Sequence, residues 1–420
     1  MRLSPQKQRM MNPHFPLPGI PKSETNGGDR LKQNKWINGA FVLLILLGLL
    51  AGLGKTLFRP KEINYYENRY ADKTAPLTFE AVMDNSFQDA MEDALADQIP
   101  LAQKLKKLYH LCFSTYQRLT VEPLSERLPD VCLNVGGLRL YRGYICYWFR
   151  SLSREQADLD RKIENYNRAF AAYPDTEFYL YYIEKDTDLD METGVRSGVS
   201  DYLREHLEMP DTRFGVFSVP DFAVYSEDYY RTDHHWNWRG SYRGYTETLG
   251  MLLPGEAPLV PQETVSLGRF SGSKAKGKAL AAFREDFYAY RFDFPEMEIS
   301  VNNSYARDYG NQDIFLSGAA SDVLNYGSFY GDDEGIVSFY VPENEGKGEL
   351  LILGDSFDNA VIKLLASHFE NTYAIDLRYY GVYTGQEFKL SAFLAEHPEA
   401  KVLLIGNLDY FVLDEFALEG

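Results

Sequence analysis

Cysteine is scarce in this chain: three in 420 residues, Cys112, Cys132 and Cys146. Three is too few for a disulfide framework, and the odd number leaves at least one thiol free. Their spacing does not match a zinc site either. Basic charge is in deficit, with 43 Lys and Arg against 61 Asp and Glu, a net charge of -18. A chain of that sign lacks the basic face that phosphate backbones require, which excludes nucleic acid as the main partner. There is no P-loop and no G-x-G-x-x-G at a strand–helix junction, so no nucleotide is expected. No metal and no other cofactor is expected. Long apolar runs are absent as well, with one exception near the N-terminus.

That exception is Trp36 to Gly54, nineteen residues without a charge. At about 1.5 Å per residue they span roughly 28 Å as a helix, close to the hydrocarbon thickness of about 30 Å. Arg2, Lys7, Arg9, Lys22, Arg30, Lys32 and Lys35 precede the run, against only Glu24 and Asp29. This predicts a cytoplasmic basic tail over 1–35 and a transmembrane anchor over 36–54. The run is longer than a signal-peptide core and no A-x-A site follows, so the anchor is expected to stay uncleaved. The expected location is the cell membrane, single-pass, with an extracytoplasmic C-terminal domain. Residues 55–130 read as a helical stalk. Leu101, Leu105, Leu108 and Cys112 recur at one-face helical spacing, which puts Cys112 in a core.

What the chain has in abundance is aromatic residues, 15% of it, within a globular-like 45% hydrophobic content. From 131 to 420 strands alternate with helices, the pattern of an α/β sheet. Expected strands include Phe178–Ile183, Phe214–Val219, Leu350–Leu353, Tyr373–Leu377 and Lys401–Ile405. Residues 254–345 break that rhythm and read as a β-rich insertion. Its aromatics read as ordinary β-packing, with stacking on sugar rings as the alternative.

Two stretches carry chemistry. Glu349 to Asp358 reads E-L-L-I-L-G-D-S-F-D: an apolar strand, a glycine turn, Ser356, and then a helix with Ala360, Val361, Leu364 and Leu365. That layout exposes a nucleophilic hydroxyl at a strand end, beside a helix N-terminus able to stabilise an oxyanion. Far upstream stands Thr232-Asp233-His234-His235-Trp236. In an extended segment Asp233 and His235 share a side, so the carboxylate can orient His235 as the base for Ser356. His234 is expected to point the opposite way, with Trp236 and Trp238 walling the site. A metal held by Asp233, His234 and His235, with Asp355 as a further ligand, is the competing reading, although adjacent histidines rarely bind one ion. His368 falls on the apolar side of a helix and reads as structural. Strand ends near Gly354, Asp376 and Gly406 gather at one sheet edge. Asn407 is therefore a candidate second oxyanion donor. Arg378 is a candidate substrate cation, with an Arg–Asp surface pair as its ordinary explanation.

The G-D-S after an apolar strand resembles the serine block of SGNH hydrolases. T-D-H-H-W upstream of it resembles the DHHW family and the related SGNH-like alginate O-acetyltransferase proteins. Glu67-Asn68-Arg69, the N-terminal anchor and I-D-L-R-Y-Y at Ile375 to Tyr380 also resemble that family. The resemblance implies an SGNH-hydrolase-like three-layer α/β domain with a parallel sheet, carrying the β-rich insertion and preceded by one transmembrane helix. It implies Ser356 as nucleophile, His235 as base and Asp233 as the orienting acid. D-x-x-H near the C-terminus is missing, and Asn407 lacks its usual context. Ser356's own N–H and a donor near Gly272-Ser273 are then the oxyanion candidates, with Trp236 and Arg378 as substrate contacts. The expected function is O-acyl or O-acetyl transfer to, or ester hydrolysis on, a cell-surface polysaccharide, helped by an integral-membrane acyl-transfer partner. A non-catalytic carbohydrate-binding or assembly protein on the same fold is the alternative.

Overall fold

The structure, a computed structural model, describes residues 27–58, 63–64, 69–70, 77–83, 85–98, 102–277, 283–319 and 324–418. The tail up to residue 26, the Glu67-Asn68 pair and Leu101 lie outside the described residues. Two compact units are present, one drawn from Met1–Ile63 and Tyr70–Ala102, the other from Asn64–Arg69 and Gln103–Gly420.

In the first unit the apolar run lies in a 32-residue helix, Gly27–Phe58. Trp36 to Ala51 are all exposed, Trp36 by 81% and Leu44 by 71%. Among the described residues no helix is long and apolar enough to cross a membrane. The expected span runs into side chains outside that description, at Leu53. Helices Phe79–Met83 and Ser86–Gln98 follow. The long helix Ala102–Arg127, which belongs to the second unit from Gln103 on, corrects one expectation: Leu105, Leu108 and Cys112 are exposed. Helical spacing marks an apolar stripe but does not supply a surface to cover it.

The second unit is built on one sheet. In chain order its strands are β1 Phe178–Ile183, β2 Phe214–Phe217, β3 Glu298–Val301, β4 Ser304–Ala306, β5 Ile336–Tyr340, β6 Glu349–Leu353, β7 Asn371–Ile375 and β8 Lys401–Gly406. They lie in the order β4–β3–β5–β7–β6–β8–β1–β2. The five strands from β7 to β2 run parallel. Apolar runs such as Leu350–Leu353 form these strands because both of their faces are covered. In β1, Phe178, Leu180 and Tyr182 pack with helices Leu152–Ala172, Val199–His206 and Leu408–Val412. Tyr179, Tyr181 and Ile183 point the other way, into the layer with helices Trp238–Leu252 and Asn359–Ala366. The period-2 alternation of a strand thus divides two cores and makes three layers.

The expectation of a parallel sheet needs correction. β5 pairs antiparallel with β7, and β3 and β4 extend that edge, so the sheet is mixed. All three added strands come from the 254–345 insertion. Antiparallel neighbours need no helical crossover, so the insertion can widen the sheet without continuing the strand–helix rhythm. The insertion also forms a separate hairpin of Glu263–Phe270 with Glu285–Arg291. Because β7, β6, β8 and β1 are parallel, the residues just past them, Asp376, Ser356, Asn407 and Lys185, gather at one edge.

Candidate active site

The histidine box occupies a tight loop with a pinned base. Tyr229 and Trp236 form an antiparallel bridge, and Asn237 N–H donates to the Asp228 carbonyl at 2.7 Å. Asn237 also caps the helix Trp238–Leu252, its Oδ1 accepting from Arg239 N at 2.8 Å. Its Nδ2 donates back to Glu227 O at 2.8 Å and Tyr229 O at 3.2 Å. One asparagine therefore ties both ends of the loop to the start of a helix.

A second segment holds the tip. Gly272 N–H donates to Thr232 Oγ1 at 2.9 Å, and Ser273 N–H to Asp233 Oδ2 at 2.7 Å. The approach is so close that a Cβ at position 272 would lie 2.4–2.5 Å from Asp233 atoms, so only glycine fits. Behind it, Glu285 accepts from Arg231 N at 2.9 Å, Thr232 N at 2.6 Å and Thr232 Oγ1 at 2.6 Å. Lys274, in the short helix Ser273–Gly277, forms an ion pair with Asp186 just past β1. Their side chains are 0% and 1% exposed, so the pair is fully withdrawn from water.

Against this frame Ser356, His235 and Asp233 converge. Ser356 Oγ lies 2.9 Å from His235 Nε2, and His235 Nδ1 lies 2.7 Å from Asp233 Oδ1. Asp233 Oδ1 also accepts from His235 N at 3.1 Å. Burial opposes a charge on Asp233. The His235 imidazole beside it and the hydrogen bonds it accepts outweigh that and hold the carboxyl well below the usual carboxylate range. Tyr326 stacks on the His235 ring, centroids 3.7 Å apart and planes 2° from parallel, which fixes the ring's plane. With Asp233 ionised and facing Nδ1, the ring proton sits on Nδ1 and Nε2 is free to accept from serine.

His234 differs from expectation. Residues 231–235 are a run of bends, not an extended segment, so neighbours do not alternate sides. The His234 ring lies 3.8 Å from that of His235, with Nδ1 2.6 Å from Ser273 Oγ and 3.6 Å from Asp233 Oδ1. Burial, helped by the neighbouring His235, pushes its pKa well down and keeps it neutral. Asp233, His234 and His235 carry ligand atoms within 4.8 Å of one another. Both nitrogens of His235 and Nδ1 of His234 already have hydrogen-bond partners, which favours proton handling over a metal.

Other candidates fall elsewhere. Trp236 is 0% exposed and packed on Phe217 and Phe357, so it is a core residue and not a wall of an open site. Arg378 is engaged by Asp376 at 2.6 Å and Asp333 at 3.7 Å, the ordinary ion-pair reading. Asn407 caps the helix Leu408–Val412 and spends its Nδ2 on Asp355 at 3.3 Å. Ser273 N–H is committed to Asp233, so it is not a spare oxyanion donor. The Ser356 N–H makes no hydrogen bond among the described residues. His368 accepts from or donates to Tyr245 OH at 2.6 Å inside the core.

Sequence reasoning missed Tyr326, Lys185 and Asp186. Lys185 is buried, bonded to Asp409 at 3.0 Å and 5.4 Å from the Phe357 ring centre. The signal was available: Glu184-Lys185-Asp186-Thr187-Asp188 is a polar run directly after an apolar strand, and all five residues are buried. Tyr326 gave no local signal.

No curated protein sequence matches the chain. The structure is similar to that of a DHHW family protein from Eubacterium siraeum DSM 15702, with TM-score 0.51 and 16% identity over 68% of this chain and 95% of that one. It is similar to Bacillus cereus PatB1, with TM-score 0.51 and 18% identity over 69% of this chain and 99% of that one. The structure of PatB1 with a sulfonyl adduct gives TM-score 0.51 and 17% identity, over 69% and 98% of the two chains. At such identities the likeness is one of fold. A family model described as DHHW protein matches residues 223–375. That segment takes in both the histidine box and the Ser356 turn, and the match bears out the resemblance read from the sequence motifs.

Proposed function

We propose that this protein is a membrane-anchored, extracytoplasmic O-acyltransferase or esterase that uses Ser356 on a cell-surface polysaccharide. The observation that carries the reading is the hydrogen-bonded chain from Ser356 through His235 to Asp233, at 2.9 and 2.7 Å. Ser356 Oγ attacks the carbonyl carbon of an acyl donor, most simply an acetyl ester, and its proton passes to His235 Nε2. Asp233 stabilises the imidazolium that forms. The donor oxygen leaves with that proton, and the acyl group stays on Ser356. A hydroxyl of the acceptor then gives its proton to His235 and attacks the acyl carbon. Ser356 Oγ departs and takes the proton back. Ser356 N–H is the donor available to the oxyanion.

The SGNH-like mechanism draws support from the shared fold. The PatB1 neighbour is known with a sulfonyl adduct. In this chain the group best placed to form one is Ser356. The charge-free run of Trp36 to Gly54, within an exposed helix, is the proposed anchor. Transfer outside the cytoplasm requires an acyl donor delivered across the membrane, so an integral-membrane acyl-transfer partner belongs to the proposal.

The test is covalent. Incubation with an aryl acetate should give a protein one acetyl group heavier, mapped by peptide mass spectrometry to Ser356. A sulfonyl fluoride should label the same residue, and Ser356→Ala should take up neither. A protein whose Ser356 stays unmodified by both reagents does not work this way.

A further inference from the structure

The mechanism above uses His235 and leaves His234 idle, yet His234 is built as carefully. Its ring lies against that of His235, centroids 3.8 Å apart and planes tilted by 37°. Ser273 fixes one edge, Oγ to Nδ1 at 2.6 Å. Ser273 is itself fixed, its N–H on Asp233 Oδ2 at 2.7 Å. The same aspartate thus holds His235 with one oxygen and the partner of His234 with the other. A side chain that served only to pack would not need a second Ser–His couple keyed to the same carboxylate.

The position of the ring proton follows from what faces Nδ1. Both neighbours are oxygens, Ser273 Oγ at 2.6 Å and Asp233 Oδ1 at 3.6 Å. The Asp233 carboxylate is ionised, and its negative potential favours a proton on the near nitrogen. Nε2 then keeps its lone pair. It has no hydrogen-bond partner among the described residues, and the side chain is 26% exposed. Burial and the neighbouring His235 keep the ring neutral, so the lone pair persists near neutral pH. Two imidazoles therefore lie with ring centroids 3.8 Å apart, that of His235 with its Nε2 on Ser356 Oγ and that of His234 with its Nε2 unpartnered among the described residues.

We propose that Ser273 and His234 form the acceptor subsite, selecting an alcohol with hydroxyl groups on adjacent carbons, as a sugar has. This rests on the acyl-transfer reading and adds to it the class of acceptor. One hydroxyl gives its proton to His235 and forms the new C–O bond as the acyl–Ser356 bond breaks. The adjacent hydroxyl donates a hydrogen bond to His234 Nε2 and undergoes no bond change. A simple alcohol, with one hydroxyl, can make only the first contact. His234 is on this account a specificity residue for the acceptor alcohol.

The test compares acceptors within one protein. With an aryl acetate as donor, the purified protein is offered 1,2-propanediol and 1-propanol separately, and ester products are counted by mass spectrometry. The wild type should favour the diol by about tenfold in kcat/KM, the worth of one hydrogen bond of about 1.4 kcal/mol, and the difference should lie mainly in KM. His234→Ala and His234→Phe should bring the diol-to-propanol ratio close to one. The phenylalanine variant keeps a ring against His235 and guards against a fold defect, which thermal melting checks. Ser273→Ala should lower the ratio part of the way. A wild-type ratio near one, or an undiminished ratio in His234→Phe, overturns the proposal. Acetylation of Ser356 with no diol preference would sink this inference alone. Absence of acetylation would instead sink the serine mechanism beneath it.

Discussion

A carboxylate 3% exposed must have its charge met by the protein, and Asp233 does so through His235 and the N–H groups of His235 and Ser273. Replacing it with an amide keeps the shape and removes the preference for the productive tautomer. Asp233→Asn should lower kcat by on the order of 10⁴, and His235→Ala by at least about 10². Acetyl-ester turnover by folded variants checks both. The pH dependence has a definite sign. The folded Asp233 pKa is depressed, so its stabilising contribution is complete above the unfolded value of about 3.9 and is lost as pH falls through the folded one. The stability gap between wild type and Asp233→Asn in urea should be widest near pH 7 and shrink below about pH 4. A gap that does not change with pH would contradict this account. Asp358 has the opposite sign. Its side chain accepts no hydrogen bond among the described residues, and the residue is 4% exposed. Burial, together with Asp355 and Asp376 nearby, pushes its pKa well up. The unfolded chain therefore releases that proton first, and stability falls as pH rises above about 3.9. Asp358→Asn should melt above the wild type at pH 8 and close to it at pH 4. At this scale the sequence was half legible. Asp, His and Ser could be chosen by chemistry, but the direction of His234 depended on bends that no spacing rule reveals.

Among the elements, the five-residue helix Ser273–Gly277 has the most influence on the site for its size. It is too short to be stable alone. Its place comes from Lys274 on Asp186, two backbone N–H groups on the box, and Ala275 N–H on the Thr232 carbonyl at 3.1 Å. Lys274→Met should cost about 3–5 kcal/mol, because it strands the buried Asp186 charge, whose Oδ1 has no hydrogen-bond partner among the described residues even in the native fold. Urea unfolding would measure that loss. Sulfonyl fluoride labelling of Ser356 should slow as well, since Ser273 then holds Asp233 less firmly. A variant that keeps wild-type stability would mean that the ion pair does not anchor the helix. The strands that carry Ser356, Lys185 and Asn407 were readable because buried parallel strands are written as unbroken apolar runs. The strands from the insertion were readable as β but not as neighbours of β7. Their exposed and half-buried residues, such as Tyr305 at 83%, suit any edge, and the tertiary fold chooses which. Cys112 shows the converse error, a helical stripe with no surface over it.

At the scale of the molecule the proposed anchor raises the question of which side of a membrane the domain occupies. The acidic domain beyond residue 131 is preceded by a single charge-free run, Trp36–Gly54, and that run by seven basic residues against two acidic ones. Basic residues are retained on the cytoplasmic side of a span, so the proposed anchor would place Ser356 outside. An exposed helix bearing Phe41, Leu44, Leu47 and Leu50 is also costly in water, at about 25 cal/mol for each Å² of apolar surface. A bilayer removes that cost. Protease added to intact cells should therefore digest the domain from 131 to 420, and a C-terminal epitope should disappear while a cytoplasmic control survives. Carbonate washing should leave the chain in the membrane pellet. Replacing Leu44 and Leu47 with Arg places two charges near the middle of the run, at about 2.5–3.5 kcal/mol each on insertion scales, and should release the chain from the pellet. If the epitope were lost only after lysis, the domain would face the cytoplasm, and a cell-surface polysaccharide could not be its acceptor.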